Sequence, residues 1–194
     1  TLPKTMEYLK NALSGLKCTL FSPMDSALCA FFDFGKKDAI AFRADADALP
    51  IREQSGKDYA STHPGVMHAC GHDGHMASLC GLALELECKG ADRDVYLIFQ
   101  HGEEIGAGGE ECAKLLPEKG IGYAYGWHNR PAMPKGMVQT MDSTMYYASK
   151  GMILHFDGMP SHASMPEAGR CPAFAIAEII RSIPALVSDA RWEG

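Results

Sequence analysis

The sequence predicts an α/β fold, in which a mixed β-sheet carries helices on both faces and is followed by part of a smaller α+β domain. Strand-like and helical patterns alternate as far as Arg130, which is typical of a sheet covered by helices. Residues 94–100 form a nearly continuous apolar run, typical of a strand buried in a parallel sheet. The pattern changes at Pro131, Pro134 and Gly136, which predict a linker. We therefore expect a first domain at residues 1–142 and a partial second domain at residues 143–194.

The elements follow from the spacing of apolar residues. Leu2, Met6, Leu9 and Leu13 lie at helical intervals and predict an opening helix that ends near Gly15. Later segments predict three strands at residues 18–22, 27–34 and 38–44, a helix at 75–87, a strand at 94–100, a helix at 110–116 and a strand at 121–127. In the second domain they predict strands at 136–141 and 151–157 and a helix at 172–189. The polar stretch at residues 34–38 predicts a hairpin turn between the second and third strands.

Composition excludes several classes of protein. The chain has 194 residues and a net charge of −6, and it lacks the concentrated basic face that binds nucleic acid. Its apolar runs are too short to span a bilayer. Its seven cysteines are odd in number and irregularly spaced, which argues against a disulfide framework. We therefore expect a cytoplasmic protein whose partner is neither nucleic acid nor membrane.

Polar residues follow three of the predicted strands at the point where each strand ends. In an open α/β sheet, ligands bind outside these carboxyl ends. The residues concerned are Asp45 and Asp47, Glu103 and Glu104, and His128, with the loop around Cys70 and His72 as a further contributor. One thiol, several imidazoles and carboxylates suit Zn²⁺ or a similar first-row ion. Since Glu103 and Glu104 are adjacent, one can bind metal while the other serves as a general base.

Four segments carry a family resemblance. They are residues 42–51 (FRADADALPI), 68–73 (HACGHD), 99–104 (FQHGEE) and 158–163 (GMPSHA). In this order they resemble the metal-dependent amidohydrolases, which include the aminoacylases, hippurate hydrolases and auxin-conjugate hydrolases. The resemblance runs from about residue 27 to residue 180 and implies a sheet like that of zinc exopeptidases and carboxypeptidases.

The resemblance implies hydrolysis of the amide bond in an N-acyl amino acid or related peptide-like small molecule, through a water shared by two divalent ions. The ions would be zinc or manganese, with cobalt or nickel as further options. The implied ligands are Cys70, His72, Glu104 and His128, with Cys70 bridging the ions. Glu103 would be the general base, and Asp47 would orient a ligand.

The second domain has its own implied role in this family. It would form a lid and a homodimer interface, from which His162 polarises the scissile carbonyl. Relatives have Pro-Ala before the glutamate pair, where this chain has His101 and Gly102. They also use a final histidine ligand near the C-terminus. We expect this chain, which ends earlier, to be part of a longer enzyme and weakly active alone.

The residue pattern is also compatible with two other functions. Cys70 with His68 or His72 could form a thiol hydrolase. A non-catalytic metal-binding or interaction module of the same fold is the second alternative.

Overall fold

The computed structural model describes residues 2–146 and 151–187. The chain divides into two compact units, Thr1–Gly136 and Met137–Gly194. Among the described residues, no helix is both long and apolar enough to cross a membrane. The domain limits expected at residues 142 and 143 stay a prediction.

The first unit is built on a mixed five-stranded sheet, as predicted. Its strands, in chain order, are β1 (Thr19–Phe21), β2 (Leu28–Phe32), β3 (Ala39–Asp45), β4 (Asp94–Gln100) and β5 (Ile121–Gly126). Their order across the sheet is β1-β2-β4-β3-β5. β2 is antiparallel to both β1 and β4, whereas β3 is parallel to both β4 and β5.

Helices cover both faces of this sheet, which confirms the predicted α/β class. The helices of the unit are α1 (Leu2–Leu13), α2 (His72–Lys89) and the short α3 (Gly109–Ala113) and α4 (Leu115–Glu118). α1 and α2 pack with Val95, Leu97 and Phe99 of β4 in one core cluster. Residues of α3 and α4 pack with Tyr96 and Ile98 in the second cluster. Since successive side chains of a strand point to opposite faces, β4 serves both layers of the core.

The connections bring three carboxyl ends to one edge of the sheet. The chain leaves β3 through α2 to β4 on one side, then crosses through α3 and α4 to β5 on the other side of β3. The two crossovers use opposite faces because α2 belongs to one core cluster and α3 and α4 to the other. Ligand sites form at such switch points of open α/β sheets.

The predicted hairpin at residues 34–38 is wrong. β2 and β3 do not pair, because β4 lies between them. One carboxylate oxygen of Asp94, the first residue of β4, accepts the backbone N–H groups of Phe34 (2.8 Å) and Lys36 (3.1 Å). The polar stretch therefore bends around the start of β4 instead of closing a two-strand ribbon.

Two helix predictions also need correction. α2 begins at His72, three residues before the predicted start, directly after Gly71 with φ +85°. This places His72 in the first turn of a helix, not in a loop. The helix predicted at residues 110–116 is divided at Lys114 into α3 and α4. Pro117 suits the first turn of α4, where its missing N–H costs no hydrogen bond.

The second unit contains one long helix, α5 (Ala173–Val187), close to the prediction. Its predicted end, Asp189, lies outside the described residues. The strands predicted at 136–141 and 151–157 are not formed where the structure describes those ranges. In the described part of this unit, Met159 and Arg170 form an isolated antiparallel bridge. Among residues 137–146 and 151–187, no strand lies beside these segments to share their backbone hydrogen bonds.

Candidate metal centre

The predicted polar residues meet at the carboxyl edge of β3, β4 and β5. Asp45 is the last residue of β3, and Glu103 and Glu104 lie in a 3₁₀ turn directly after β4. His72 opens α2, and His128 follows β5 by two residues. Three parallel strands thus deliver side chains that are far apart in sequence to one place.

Cys70, His72 and Glu104 form the centre of this arrangement. Each offers one potential ligand atom, and the three atoms lie within 4.8 Å of one another. Nε2 of His72 is 3.8 Å from Oε1 of Glu104. It also lies 3.6 Å from an Asp45 oxygen and 3.9 Å from a Glu103 oxygen. These distances are too long for hydrogen bonds, but they leave room for an ion about 2.0–2.3 Å from each ligand.

The state of the His72 ring follows from its surroundings. Its Nδ1 lies 2.9 Å from the carbonyl oxygen of Asp47, so Nδ1 donates a proton and Nε2 carries a lone pair. Within the described part of the chain, the buried atoms His72 Nε2 and Glu104 Oε1 have no hydrogen-bond partner. Two buried acceptors that face each other are costly unless a cation lies between them. The residues therefore fit a divalent metal.

His128 joins this group through Cys70. Its Nε2 is 3.3 Å from the Cys70 sulfur, and its Nδ1 is 2.7 Å from the carbonyl oxygen of Asn129. Nδ1 therefore donates, which leaves Nε2 free to bind a metal or accept a proton. A second set of potential ligand atoms, from Asp45, His72, His75 and His128, also lies within 4.8 Å. All four predicted ligands thus lie in one cluster.

The two glutamates differ in their surroundings. The side chain of Glu104 is 21% exposed and that of Glu103 is 39% exposed. The more buried carboxylate has the unpartnered oxygen, while its neighbour keeps access to solvent. This difference matches the predicted division between ligand and base, which stays a prediction.

Asp47 connects the elements that carry the candidate ligands. Its carboxylate accepts the backbone N–H of Glu104 at 3.0 Å, and its carbonyl oxygen holds His72. The other carboxylate oxygen is 3.5 Å from His72 Nδ1. Asp47 therefore links the start of α2 to the turn after β4, which supports its predicted orienting role.

Local electrostatics shift two groups in opposite directions. Burial, followed by the charges of Glu104, Glu103 and Asp45, raises the pKa of the Cys70 thiol. Burial alone would raise the pKa of Asp45, but the His75 hydrogen bond and the nearby Arg43 and His72 outweigh it, so this pKa is lowered. A divalent cation would reverse the effect on Cys70, because metal coordination favours the thiolate.

His75 and Asn129, for which the sequence pattern predicted no role, belong to the same cluster. His75 is fully buried, and its Nδ1 donates to the Asp45 carboxylate. Its Nε2 contacts both the backbone N–H and the side chain of Asn129. Because α2 begins at His72, His75 follows it by one helical turn on the same side. That spacing is the signal that could have identified it.

The predicted His162, and His101, where the chain departs from the family pattern, lie elsewhere. His162 belongs to the second unit, where its exposed ring contacts the Ser164 hydroxyl at 2.8 Å. His101 has Nε2 3.4 Å from a carboxylate oxygen of Glu111 in α3. Within the described residues, His101 is absent from both sets of potential ligands.

Comparison with known proteins identifies the family. The pattern of the peptidase family M20/M25/M40 matches residues 41–192. The chain is 39% identical over 155 residues to an N-acetyl-L-cysteine deacetylase of Bacillus subtilis, covering 77% of this chain and 36% of that protein. It is 31% identical over 194 residues to an N-acetyldiaminopimelate deacetylase of Limosilactobacillus reuteri, covering 95% and 51%.

A solved structure supports the same assignment. The Bacillus subtilis YXEP protein, a dinuclear metal binding peptidase of the M20 family, superimposes with a TM-score of 0.63 at 34% identity. The superposition covers 68% of this chain and 38% of that one. The chain spans about half, or less, of the length of the relatives it matches. On the match over residues 41–192 and these similarities, the chain belongs to the peptidase family M20/M25/M40.

Proposed function

We propose that the protein hydrolyses the amide bond of an N-acyl amino acid with the help of two divalent metal ions. One observation carries this proposal: His72 Nε2 and Glu104 Oε1 are buried beside Cys70 without hydrogen-bond partners in the described structure. The names of the similar proteins support the substrate class, since they are deacetylases of N-acetylcysteine and N-acetyldiaminopimelate.

Cys70, His72, Glu104 and His128 would hold the ions, with Cys70 as the bridge. The contact between Cys70 and His128 and the proximity of Cys70 to Glu104 support a thiolate shared by two ions. A thiolate with imidazole and carboxylate favours zinc, while manganese, cobalt and nickel fit the nitrogen and oxygen donors. When bound, the ions would supply Lewis acidity that lowers the pKa of water and stabilises negative charge on the carbonyl oxygen.

Glu103 would move the proton. Its partly exposed carboxylate can accept a proton from a water whose oxygen attacks the carbonyl carbon of the amide. As the carbon–nitrogen bond breaks, the same carboxyl group can donate that proton to the leaving amine. The products are a free carboxylic acid and a free amino acid, and Glu103 returns to its ionised state.

The remaining predicted residues would support this reaction. Asp47 would hold His72 and the Glu104 backbone in place through its two contacts. His162 would donate a hydrogen bond to the carbonyl oxygen of the substrate, as the family resemblance implies. Its ring is exposed in the second unit and therefore available to a ligand.

We also propose a cytoplasmic homodimer that binds a small molecule and neither nucleic acid nor membrane. All seven cysteines are free, which supports a reducing compartment. The side chains of Phe174, Ile180 and Ile183 on α5 are exposed and would suit a subunit interface. Sedimentation of the protein tests this arrangement, and a monomer at every concentration would contradict it.

The thiol hydrolase alternative has one favourable observation. The base would be His128 instead of the predicted His68 or His72, because Nε2 of His128 lies 3.3 Å from the Cys70 sulfur. An activated thiol needs a lowered pKa, however, whereas burial and the neighbouring glutamates raise the pKa of Cys70. The surroundings of Cys70 therefore favour a metal ligand over a free nucleophile.

A substrate panel with metal control tests the proposed function. The protein would be stripped with a chelator, reloaded with Zn²⁺ or Mn²⁺, and assayed on N-acetyl-L-cysteine, N-acetyldiaminopimelate and other N-acyl amino acids. We expect amine release only in the reloaded samples. Hydrolysis that survives the chelator but not thiol alkylation would favour the thiol hydrolase. Full metal binding without turnover on any substrate would favour the non-catalytic module.

A further inference from the structure

We propose that His75 is a positioning residue that holds the loop after β5, and with it His128, against the metal centre. This inference rests on the proposed metal-dependent function. His75 is one of two histidines of α2 in the cluster, and the structure distinguishes their roles. The distinction lies in which ring nitrogens already have partners.

His75 has no free ring nitrogen to offer an ion. Its Nδ1 donates to the Asp45 carboxylate. Its Nε2 lies 2.7 Å from the side-chain oxygen Oδ1 of Asn129 and 3.1 Å from the backbone nitrogen of the same residue. His72 differs, because its Nε2 is buried and has no partner in the described structure. The same face of α2 thus carries His72, a candidate ligand, and His75, whose two ring nitrogens both contact other protein groups.

The contacts of His75 extend along three consecutive residues of the loop. Besides Asn129, its ring packs edge-on against Trp127 at 4.8 Å and against His128 at 4.5 Å between ring centroids. The side chain of His128 is exposed, and its hydrogen bonds are to Cys70 and the adjacent Asn129 carbonyl. The orientation of His128 therefore depends on these two contacts and on the buried rings of His75 and His72, whose centroids lie 4.5 Å and 5.9 Å from its own.

His75 is itself held by the sheet. Asp45 accepts from Arg43 at 2.9 Å, and Arg43 donates to the Gln100 side chain at 2.8 Å. Gln100 in turn donates to the carbonyl oxygen of Ala107 at 3.2 Å, just after the 3₁₀ turn that contains Glu103 and Glu104. The ends of β3 and β4 therefore anchor Asp45, and Asp45 anchors His75. Hydrogen bonds of this kind, one step behind the ligands, orient metal-binding side chains.

Gly71 makes room for this arrangement. A Cβ atom at Gly71 would lie 2.6 Å from the Asn129 side-chain oxygen, closer than any real contact. The backbone at Gly71, with φ +85°, also favours glycine. The start of α2 is thus shaped to admit the Asn129 side chain beside His75.

Metal binding by matched variants of the intact protein tests the role of His75. We would measure Zn²⁺ affinity by chelator competition for the unsubstituted protein and for His75→Ala, His75→Asn and Asn129→Ala, with His63→Ala as the control. His63 is exposed and lies outside the cluster. Since orienting partners contribute to metal affinity, we expect His75→Ala to weaken Zn²⁺ binding about 10–100-fold. Asparagine can still donate to Asp45, so His75→Asn should recover part of this loss.

Two further readouts separate positioning from a general structural role. The Co²⁺-loaded His75→Ala variant should show an altered visible spectrum, because the geometry around the ion depends on His128. The unfolding temperature of the metal-free variants records any loss of fold. A loss of stability with unchanged Zn²⁺ affinity and an unchanged Co²⁺ spectrum would overturn the proposal.

Asn129→Ala keeps the test decisive if His75→Ala fails to fold, since Asn129 lies in an exposed loop. We expect a smaller loss of Zn²⁺ affinity in this variant, and affinity equal to that of His63→Ala would overturn the proposal. If the unsubstituted protein binds no Zn²⁺, the proposed function and this inference both fail. If it binds Zn²⁺ and the His75 and Asn129 variants bind equally well, only this inference fails.

Discussion

The carbonyl oxygen of Asp47 lies 2.9 Å from Nδ1 of His72, and this contact determines which ring nitrogen faces the candidate metal centre. The carboxylate of the same aspartate accepts the Glu104 backbone N–H. One residue after β3 therefore controls a side chain of α2 and the turn after β4. Replacement of single residues in this cluster should therefore separate their roles.

The two adjacent glutamates should differ when each is replaced by glutamine. Glu104→Gln should lower both Zn²⁺ affinity and turnover, because it alters the buried carboxylate with the unpartnered oxygen. Glu103→Gln should leave Zn²⁺ affinity nearly unchanged and lower kcat by about 10²–10⁴-fold, the range for loss of a general base. Metal analysis and steady-state kinetics on both variants would check this. Equal loss of metal in the two variants would show that the roles are misassigned.

Replacement of Asp47 should weaken metal binding without direct loss of a ligand. In Asp47→Ala the Glu104 N–H loses its acceptor, and we expect Zn²⁺ affinity to fall about 10–100-fold. Asp47→Asn retains a side-chain oxygen and should lose less. Asp58→Ala, at an exposed position outside the cluster, serves as the control. Chelator competition measures all three, and wild-type affinity in Asp47→Ala would contradict the orienting role.

Metal should protect Cys70 from alkylation. The protein would be treated with iodoacetamide in metal-free and Zn²⁺-loaded form, and each cysteine would be followed by mass spectrometry. Cys88 and Cys171 are exposed and should react equally in both samples, while the buried Cys29 and Cys112 should react in neither. We expect Cys70 to be modified only in the metal-free sample. Equal modification of Cys70 with and without Zn²⁺ would contradict its role as a ligand.

The buried thiol of Cys29 should make the fold sensitive to alkaline pH. Burial, with smaller contributions from neighbouring groups, raises the pKa of Cys29 from its ordinary value of 9.0 to about 12. Between these values the unfolded chain loses this proton while the folded chain keeps it. The free energy of unfolding should therefore be unaffected by this group below pH 9 and should fall above it, by at most about 1.4 kcal/mol per pH unit.

Comparison with Cys29→Ala isolates this contribution from other groups that titrate at alkaline pH. The variant should be less stable at neutral pH, because it leaves a small cavity in the core. Its stability should then fall less steeply than that of the unsubstituted protein above pH 9. Urea unfolding at a series of pH values measures both slopes, and parallel curves would show that Cys29 does not carry the effect.

The local pattern of apolar residues was sufficient to predict most strands of the first unit. The apolar run at residues 94–100 coincides with β4, because a strand covered on both faces needs apolar side chains at nearly every position. Pairing was harder to predict. The sequence near residues 34–38 resembles a hairpin, yet the partner of both flanking strands is β4, which lies far along the chain. Nothing in the sequence near residues 34–38 indicates that β4, from far along the chain, inserts between β2 and β3.

The candidate ligands could be predicted from the sequence motifs and their order along the chain. The residues that hold those ligands in place could not. Cys70, His72 and the glutamates belong to motifs that resemble a known family. The roles of Asp45 and His75 depend on the start of α2 at His72, which turns His75 toward the end of β3. The apolar periodicity predicted this start three residues later, so it indicated no role for His75.

β3 lies between β4 and β5 in the sheet. This position has a consequence for the order in which the candidate metal centre assembles. The candidate ligands come from the segments after β3, β4 and β5, and β5 is the last of these to be synthesised. A nascent chain cannot gather them until His128 has left the ribosome and β5 has docked beside β3. An ion that requires all four donors would therefore bind only the assembled sheet, and free metal would raise the melting temperature in proportion to the logarithm of its excess over Kd. A melting temperature that depends on the metal would then indicate that β5 is docked beside β3.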